Sequence, residues 1–262
     1  MSLDANSNTQ IRKVNTLGFL KKHFFFTMLF IIIGSGIAFA MSEKPEDYCW
    51  RYKIKVEIDT PNGIKSGASV REACLSTFKG YNPQIADFKE RDDGEAVVID
   101  IGSGLVFGTV HSSNSIFYIS HVFPGPQLFS IEGAKHYASL KLGLKAPLPL
   151  KDYPTFVSFK DLSVPETIQM VRGEIYDKSQ KRYIPVDNFE EYFGKGVKLH
   201  SVTIETTNEA VNWGIRKWLP WLDEYYDKML DGSSNNSLGA KNQVANSFAA
   251  GSFSTKRLKN ER

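Results

Sequence analysis

Cysteine, histidine and net charge are scarce in this sequence, and each scarcity removes a class of function. Only two cysteines, Cys49 and Cys74, occur in 262 residues. They are too far apart for the C-x-x-C of a thiol redox enzyme or zinc ribbon. The chain has five histidines. None of those past the leader (His111, His121, His136, His200) has a second histidine two or four residues away, and there is no His-Glu-x-x-His. Sequence spacing therefore offers no metal site and no bound cofactor. The formal net charge of +3 is carried wholly by the first forty residues, where Arg12, Lys13, Lys21 and Lys22 outnumber Asp4. The remainder is balanced, which argues against nucleic acid as a partner, since phosphate neutralisation needs a basic field. No repeat with a period of 20–50 residues is visible.

What the chain does have is apolar content: 42% hydrophobic and 13% aromatic residues, enough to bury a sizeable core. The longest apolar run is Phe24–Ala40, 17 residues without a charge. Lys21, Lys22 and His23 precede it, and Ala38-Phe39-Ala40 closes it. A basic flank, an apolar stretch and an A-x-A end are the three parts of a secretory signal. The same run also lies at the short end of what can span a bilayer as an uncleaved anchor. Either way the early Lys and Arg stay inside and the rest is translocated. The expected organisation is a signal peptide or anchor over 1–40, a stalk over 41–47, one β-rich domain over 48–230 and a disordered Ser/Asn/Gly-rich tail over 231–262. The expected location is the periplasm, or the inner membrane with the C-terminal domain outside the cytosol. The membrane is contacted through Phe24–Ala40 if that run is not cleaved.

Trp50, Tyr52, Ile54, Val56 and Ile58 alternate with polar residues, the signature of a strand with one buried face. Thr60-Pro61-Asn62-Gly63 reads as a turn, and Ile64 to Cys74 returns as the partner strand. Two cysteines in an exported chain commonly pair, and Cys49 and Cys74 flank this hairpin symmetrically. That register puts Ile64, Ala68 and Val70 on the face opposite Trp50–Ile58, a conflict that a bulge would relieve. Residues 79–94 read as a polar loop. Glu95–Ile101, Leu105–Val110, Ile116–Phe123, Thr155–Phe159 and Lys198–Thr206 read as further strands, and Ile131–Leu144 and Asp187–Phe193 as short helical stretches. Asn208 is placed to cap a helix whose Val211, Ile215, Trp218 and Leu222 share one face, with Pro220 as a kink or stop. The fold class expected is α+β, mainly antiparallel β with a C-terminal amphipathic helix.

No side-chain constellation specifies a reaction, so no catalytic residue is assigned. Ser103 lies between glycines but leads into a strand, unlike a nucleophile elbow. Glu166, Glu174, Glu190 and Glu191 are carboxylates of the kind a glycosidase pairs, as any chain with 29 acidic residues provides. The more suggestive cluster is aromatic: Trp213, Trp218, Trp221, Tyr225 and Tyr226 crowd one short segment, as core packing or as a surface for a partner or lipid headgroups.

Three blocks carry a resemblance: Tyr52–Gly63 with Ser66–Val70, then Gly94–Val97, then Gly194–Leu199 through Leu219–Leu222. In these the chain resembles a group of exported or membrane-anchored proteobacterial proteins of unknown function, over roughly residues 50–222. The resemblance implies one domain behind an uncleaved N-terminal anchor and brings no activity or functional residue. The A-x-A end and the cysteine pair depart from that group. The leading expectation is a non-catalytic envelope protein that binds or assembles with other envelope components. The alternatives are an extracytoplasmic hydrolase and a small-molecule carrier with a β-sheet cavity.

Overall fold

A computed structural model describes residues 46–79, 86–110 and 115–257. The apolar run Phe24–Ala40 and residue His111 lie outside them, as does most of the stalk expected over 41–47. Among the described residues no helix is long and apolar enough to cross a membrane.

The alternation that begins at Trp50 forms strand β1 (Asp47–Asp59), and the chain returns as β2 (Lys65–Lys79). Thr60 and Gly63 exchange both backbone hydrogen bonds, at 3.2 and 3.0 Å, so Pro61 and Asn62 alone make the turn. This sets a single register along the whole hairpin, with Cys49 opposite Cys74 and Ile58 opposite Lys65. No bulge relieves the conflict seen in the sequence. Ser69, Arg71, Ala73 and Leu75 face inward with β1's apolar set, while Ile64 is exposed. The inner face of β2 is lean because the second sheet crosses it closely. A Cβ on Gly67 would lie 2.2 Å from the Val98 carbonyl oxygen, a contact only glycine permits.

β3 (Ala86–Asp93) pairs with β2, and β10 (Lys198–Thr207) and the short β6 (Lys145–Pro147) extend the other side. The first sheet thus runs β3-β2-β1-β10-β6. The loop expected over 79–94 is therefore corrected to a strand in its second half. As an edge strand β3 is held by backbone pairing and carries little of the apolar alternation that marks a half-buried strand. The second sheet runs β4-β5-β7-β8-β9, built from Val97–Asp100, Leu105–Gly108, Phe156–Phe159, Ile168–Asp177 and Arg182–Asp187. All neighbours in both sheets are antiparallel. The β8–β9 hairpin lacks a clear alternating pattern and was not expected. Ile116–Phe123 is not a strand: it forms a 3₁₀ turn and then helix α1 (Tyr118–Val122). Helix α2 (Ile131–Ala138) starts where Ser130 Oγ accepts from the Gly133 amide at 2.9 Å.

Two apolar cores flank the second sheet. The first is filled by Tyr52, Ile54, Val56 and Ile58 from β1, by β4 residues Val97 and Ile99, and by α1 and α2. The second joins Phe107, Val157 and Met170 to the C-terminal segment. Strands buried on both faces read as short continuous apolar runs rather than as alternation, which is why β4, β5 and β7 appear so in the sequence.

The C-terminal region departs most from expectation. No amphipathic α-helix follows Asn208. Residues 208–226 hold only two 3₁₀ turns, Ile215–Lys217 and Leu222–Tyr225. Gly214 and Pro220 break the 3.6 spacing, so Ile215, Leu219 and Leu222 reach the core from separate turns. Nor is the described part of the tail, Asp231–Arg257, disordered. Phe248 and Phe253 are buried in the second core, and Ala96 and Val110 donate backbone hydrogen bonds to Phe253 and Ser252 at 2.8 and 2.9 Å. Asn246, buried, satisfies its amide through Asp231, Ser233, Asn235 and Ser237. A polar composition here means side chains that pair with one another, and Ala245, Phe248, Ala250 and Phe253 dock the segment in the second core.

Candidate functional site

The cysteine pair forms a disulfide across β1 and β2. Stable disulfides belong to oxidising compartments, so the bond points to an environment outside the cytosol. Among the described residues the one His/Cys/Asp/Glu group close enough to hold a metal ion is Cys49, Glu72 and Cys74, and its two sulfurs are bonded to each other.

Glu95 organises the aromatic segment. It is 2% exposed, at the start of the run that becomes β4. Its Oε2 accepts from the backbone amides of Gly214 and Ile215 at 2.5 and 2.9 Å. Its Oε1 lies 3.7 Å from Arg216 Nη1 and 3.4 Å from the Ser254 hydroxyl, which donates to it. One buried carboxylate thus ties together β4, the 3₁₀ turn and the end of the chain. Arg216 forks onto Asp223 with two bonds of 2.8 Å, which holds its guanidinium above its usual range. Burial pushes the Tyr226 phenol up, against the lowering effect of Ser254 and Arg216.

The five aromatic residues separate once this anchor is in place. Trp221 is core: its indole N–H donates to the Leu162 carbonyl at 2.8 Å, and its ring packs on Phe159 and Phe253. Tyr225 is half-buried against Trp221. The Tyr226 hydroxyl shares its one proton between the Ser254 and Lys256 carbonyls, 3.1 and 2.5 Å away, a structural role. Trp213 is 39% exposed and Trp218 half-buried. These two line an open groove of about 350 Å³ with Asn212, Lys217 and Asp100. Asn212 is fixed by accepting the Val70 amide at 2.5 Å. Lys256 lies 5.4 Å from the Trp213 ring and Lys217 5.1 Å from that of Trp218, so each of these two indoles carries a cation. The sequence pointed to Trp213 and Trp218 but gave no signal for Glu95, whose partners are 119 and 120 residues away.

The other candidate residues stay apart. Ser103 sits in an exposed turn before β5. Glu166 is in a 3₁₀ turn, Glu174 on β8, and Glu190 and Glu191 on a short helix, α3 (Phe189–Phe193). His136 Nε2 contacts the Pro124 carbonyl at 3.2 Å, and His200 pairs with Asp59 at the surface. Among the described histidines only His121 meets a buried carboxylate, Asp152, at 3.0 Å. A second buried polar group is Arg71, wholly enclosed beside Tyr52, donating to the Glu95 and Thr109 carbonyls at 3.2 and 3.3 Å. Burial, with the nearby Asp92, drives the Tyr52 phenol well above its usual range.

The fold and site define a disulfide-bonded, two-sheet antiparallel β protein with an aromatic groove at the edge of its second core. No family model, no curated protein and no solved structure matches the chain.

Proposed function

We propose that this chain is a non-catalytic protein of the cell envelope, exported behind its N-terminal apolar segment, that binds another envelope component through the surface carrying Trp213 and Trp218. It works in the periplasm or from the inner membrane with its folded part outside the cytosol. The observation that carries the reading is the exposure of Trp213, 39%, on a segment otherwise pinned by Glu95. Tryptophan is a residue type favoured at interface hot spots. The disulfide supports the compartment. A hydrolase would need a nucleophile and base held together, and none of the candidate carboxylates and serines named above meets such a partner.

The test places a photo-crosslinking amino acid at position 213 in living cells, with position 55 on the exposed face of β1 as control. Fractionation and thiol blocking run on the same samples. A discrete adduct from position 213 alone, on oxidised protein outside the cytosol, is the expected result. Equal labelling from both positions, or a cytosolic chain with reduced thiols, would overturn the reading.

A further inference from the structure

A second groove lies across the molecule's second sheet, between β8, β9 and the turn Leu150–Asp152, with a volume of about 790 Å³. That is within the range of roughly 300–1,000 Å³ for small-ligand sites. We propose that this groove binds a neutral sugar unit of a glycan, with Asp152 as its buried acceptor and Tyr183 as its stacking platform. The inference is independent of the Trp213 surface.

Asp152 supplies the first argument. It is 3% exposed, and it lines the groove. Its Oδ1 accepts from His121 Nδ1 at 3.0 Å, and the His121 ring is stacked on Phe117 at 5.7 Å. A carboxylate can only accept, so the contact fixes the proton on Nδ1. Asp152 Oδ2 is equally buried and has no hydrogen-bond partner. A buried acceptor left unmatched destabilises the fold, more so when it is charged. A hydroxyl donated by a ligand in the groove would satisfy it.

The second argument is charge. The groove carries Lys151 and Arg172 against Asp152, Glu174 and Asp187, and Arg172 is already paired with Asp187 at 2.9 Å. A simple cation or anion would meet both signs. A polyol, whose hydroxyls both donate and accept, can use both.

The third is the apolar surface. Tyr183 and Leu150, 59% and 70% exposed, are among the most exposed large hydrophobic residues and both border this groove. Tyr183 is braced edge-on by Tyr176 at 5.4 Å. One face of Tyr153 is covered by Arg172 at 6.0 Å, so Tyr183 is the freer ring. The C–H face of a pyranose is apolar and flat, and it stacks on such a ring while its rim of hydroxyls reaches the carboxylates. Addition of a peptide strand is disfavoured, because Pro185 in the middle of edge strand β9 has no N–H to offer.

The test applies the fluorescently labelled, disulfide-intact full chain to an array of neutral, acidic and amino oligosaccharides. The best ligand is then titrated in solution by calorimetry. Binding of neutral glycans is expected, weakened at least tenfold by Tyr183→Ala and by Asp152→Asn, and unchanged by Trp213→Ala. Tyr183 is exposed, so its replacement reads binding without loss of fold. Absence of neutral glycan binding, binding confined to charged sugars, or binding indifferent to Tyr183→Ala would each overturn the proposal. Loss with Trp213→Ala instead would move the glycan to the other groove.

Discussion

The β1–β2 hairpin and the segment from Asn208 to Arg257 are both essential parts of the core, yet they are built on opposite principles. In strand β1 each buried side chain follows from the residues beside it. Alternation chooses the face, Pro61-Asn62 closes the turn, and the disulfide marks the register. In the C-terminal segment almost nothing local decides the outcome. Its turns are held by Glu95, 119 residues earlier, and by bridges such as Glu95 to Ser254. The comparison teaches that helical spacing of apolar residues describes a helix only when the backbone between them can stay helical. Gly214 and Pro220 prevent that, so the same side chains reach the core from separate turns.

Removing residues 231–262 is the strongest way to break the comparison. A disordered tail would be lost without consequence. A segment contributing Phe248 and Phe253 to the second core should instead take the native fold with it, seen as loss of cooperative unfolding by circular dichroism. Trp221→Ala should cost about 3–5 kcal/mol as a large-to-small core change. Trp213→Ala should stay within about 0.5 kcal/mol. Urea unfolding of the pair separates the aromatic residues into core and surface. Glu95→Ala strips the cap from Gly214 and Ile215 and leaves Arg216 short of one partner, an expected loss of about 3–5 kcal/mol by the same measurement.

On the hairpin side the paired change Cys49→Ser with Cys74→Ser should cost about 2–4 kcal/mol, with the sheet still formed. If it removes the fold altogether, the alternation is a weaker organiser than the comparison claims. The smallest effect is on Asp231. Burial pushes its carboxyl up, but donors from Ser233 and Asn246 outweigh this and hold it below the usual carboxylate range. A group depressed in the folded state stabilises above its unfolded value of about 4 and loses that contribution as pH falls through the folded value. The urea midpoint of Asp231→Asn should therefore fall below that of the unaltered chain at neutral pH, and the gap should close in acid.

The legible parts share one property, short-range information. Strand β1, its turn, the cysteine pairing and the apolar runs that became β4, β5 and β7 can all be read within a window of a few residues. β3 and the β8–β9 hairpin could not be read so, because edge and partly exposed strands owe their place to backbone pairing that any side chain permits. The candidate site follows the same division. Trp213 and Trp218 stood out by residue type, whereas Asp152, unremarkable in the sequence, gains its meaning only from burial beside His121.

By itself the sequence determined a mainly antiparallel β-protein with a cross-strand disulfide, because alternation and turn chemistry act between neighbours. The tertiary structure decided which aromatic residues are buried, that the polar C-terminus is folded, and that a buried carboxylate opens onto a groove. Those outcomes depend on contacts between residues far apart in the chain, from His121 with Asp152 to Glu95 with Ser254, where burial and pairing are set by the whole chain rather than by any segment of it.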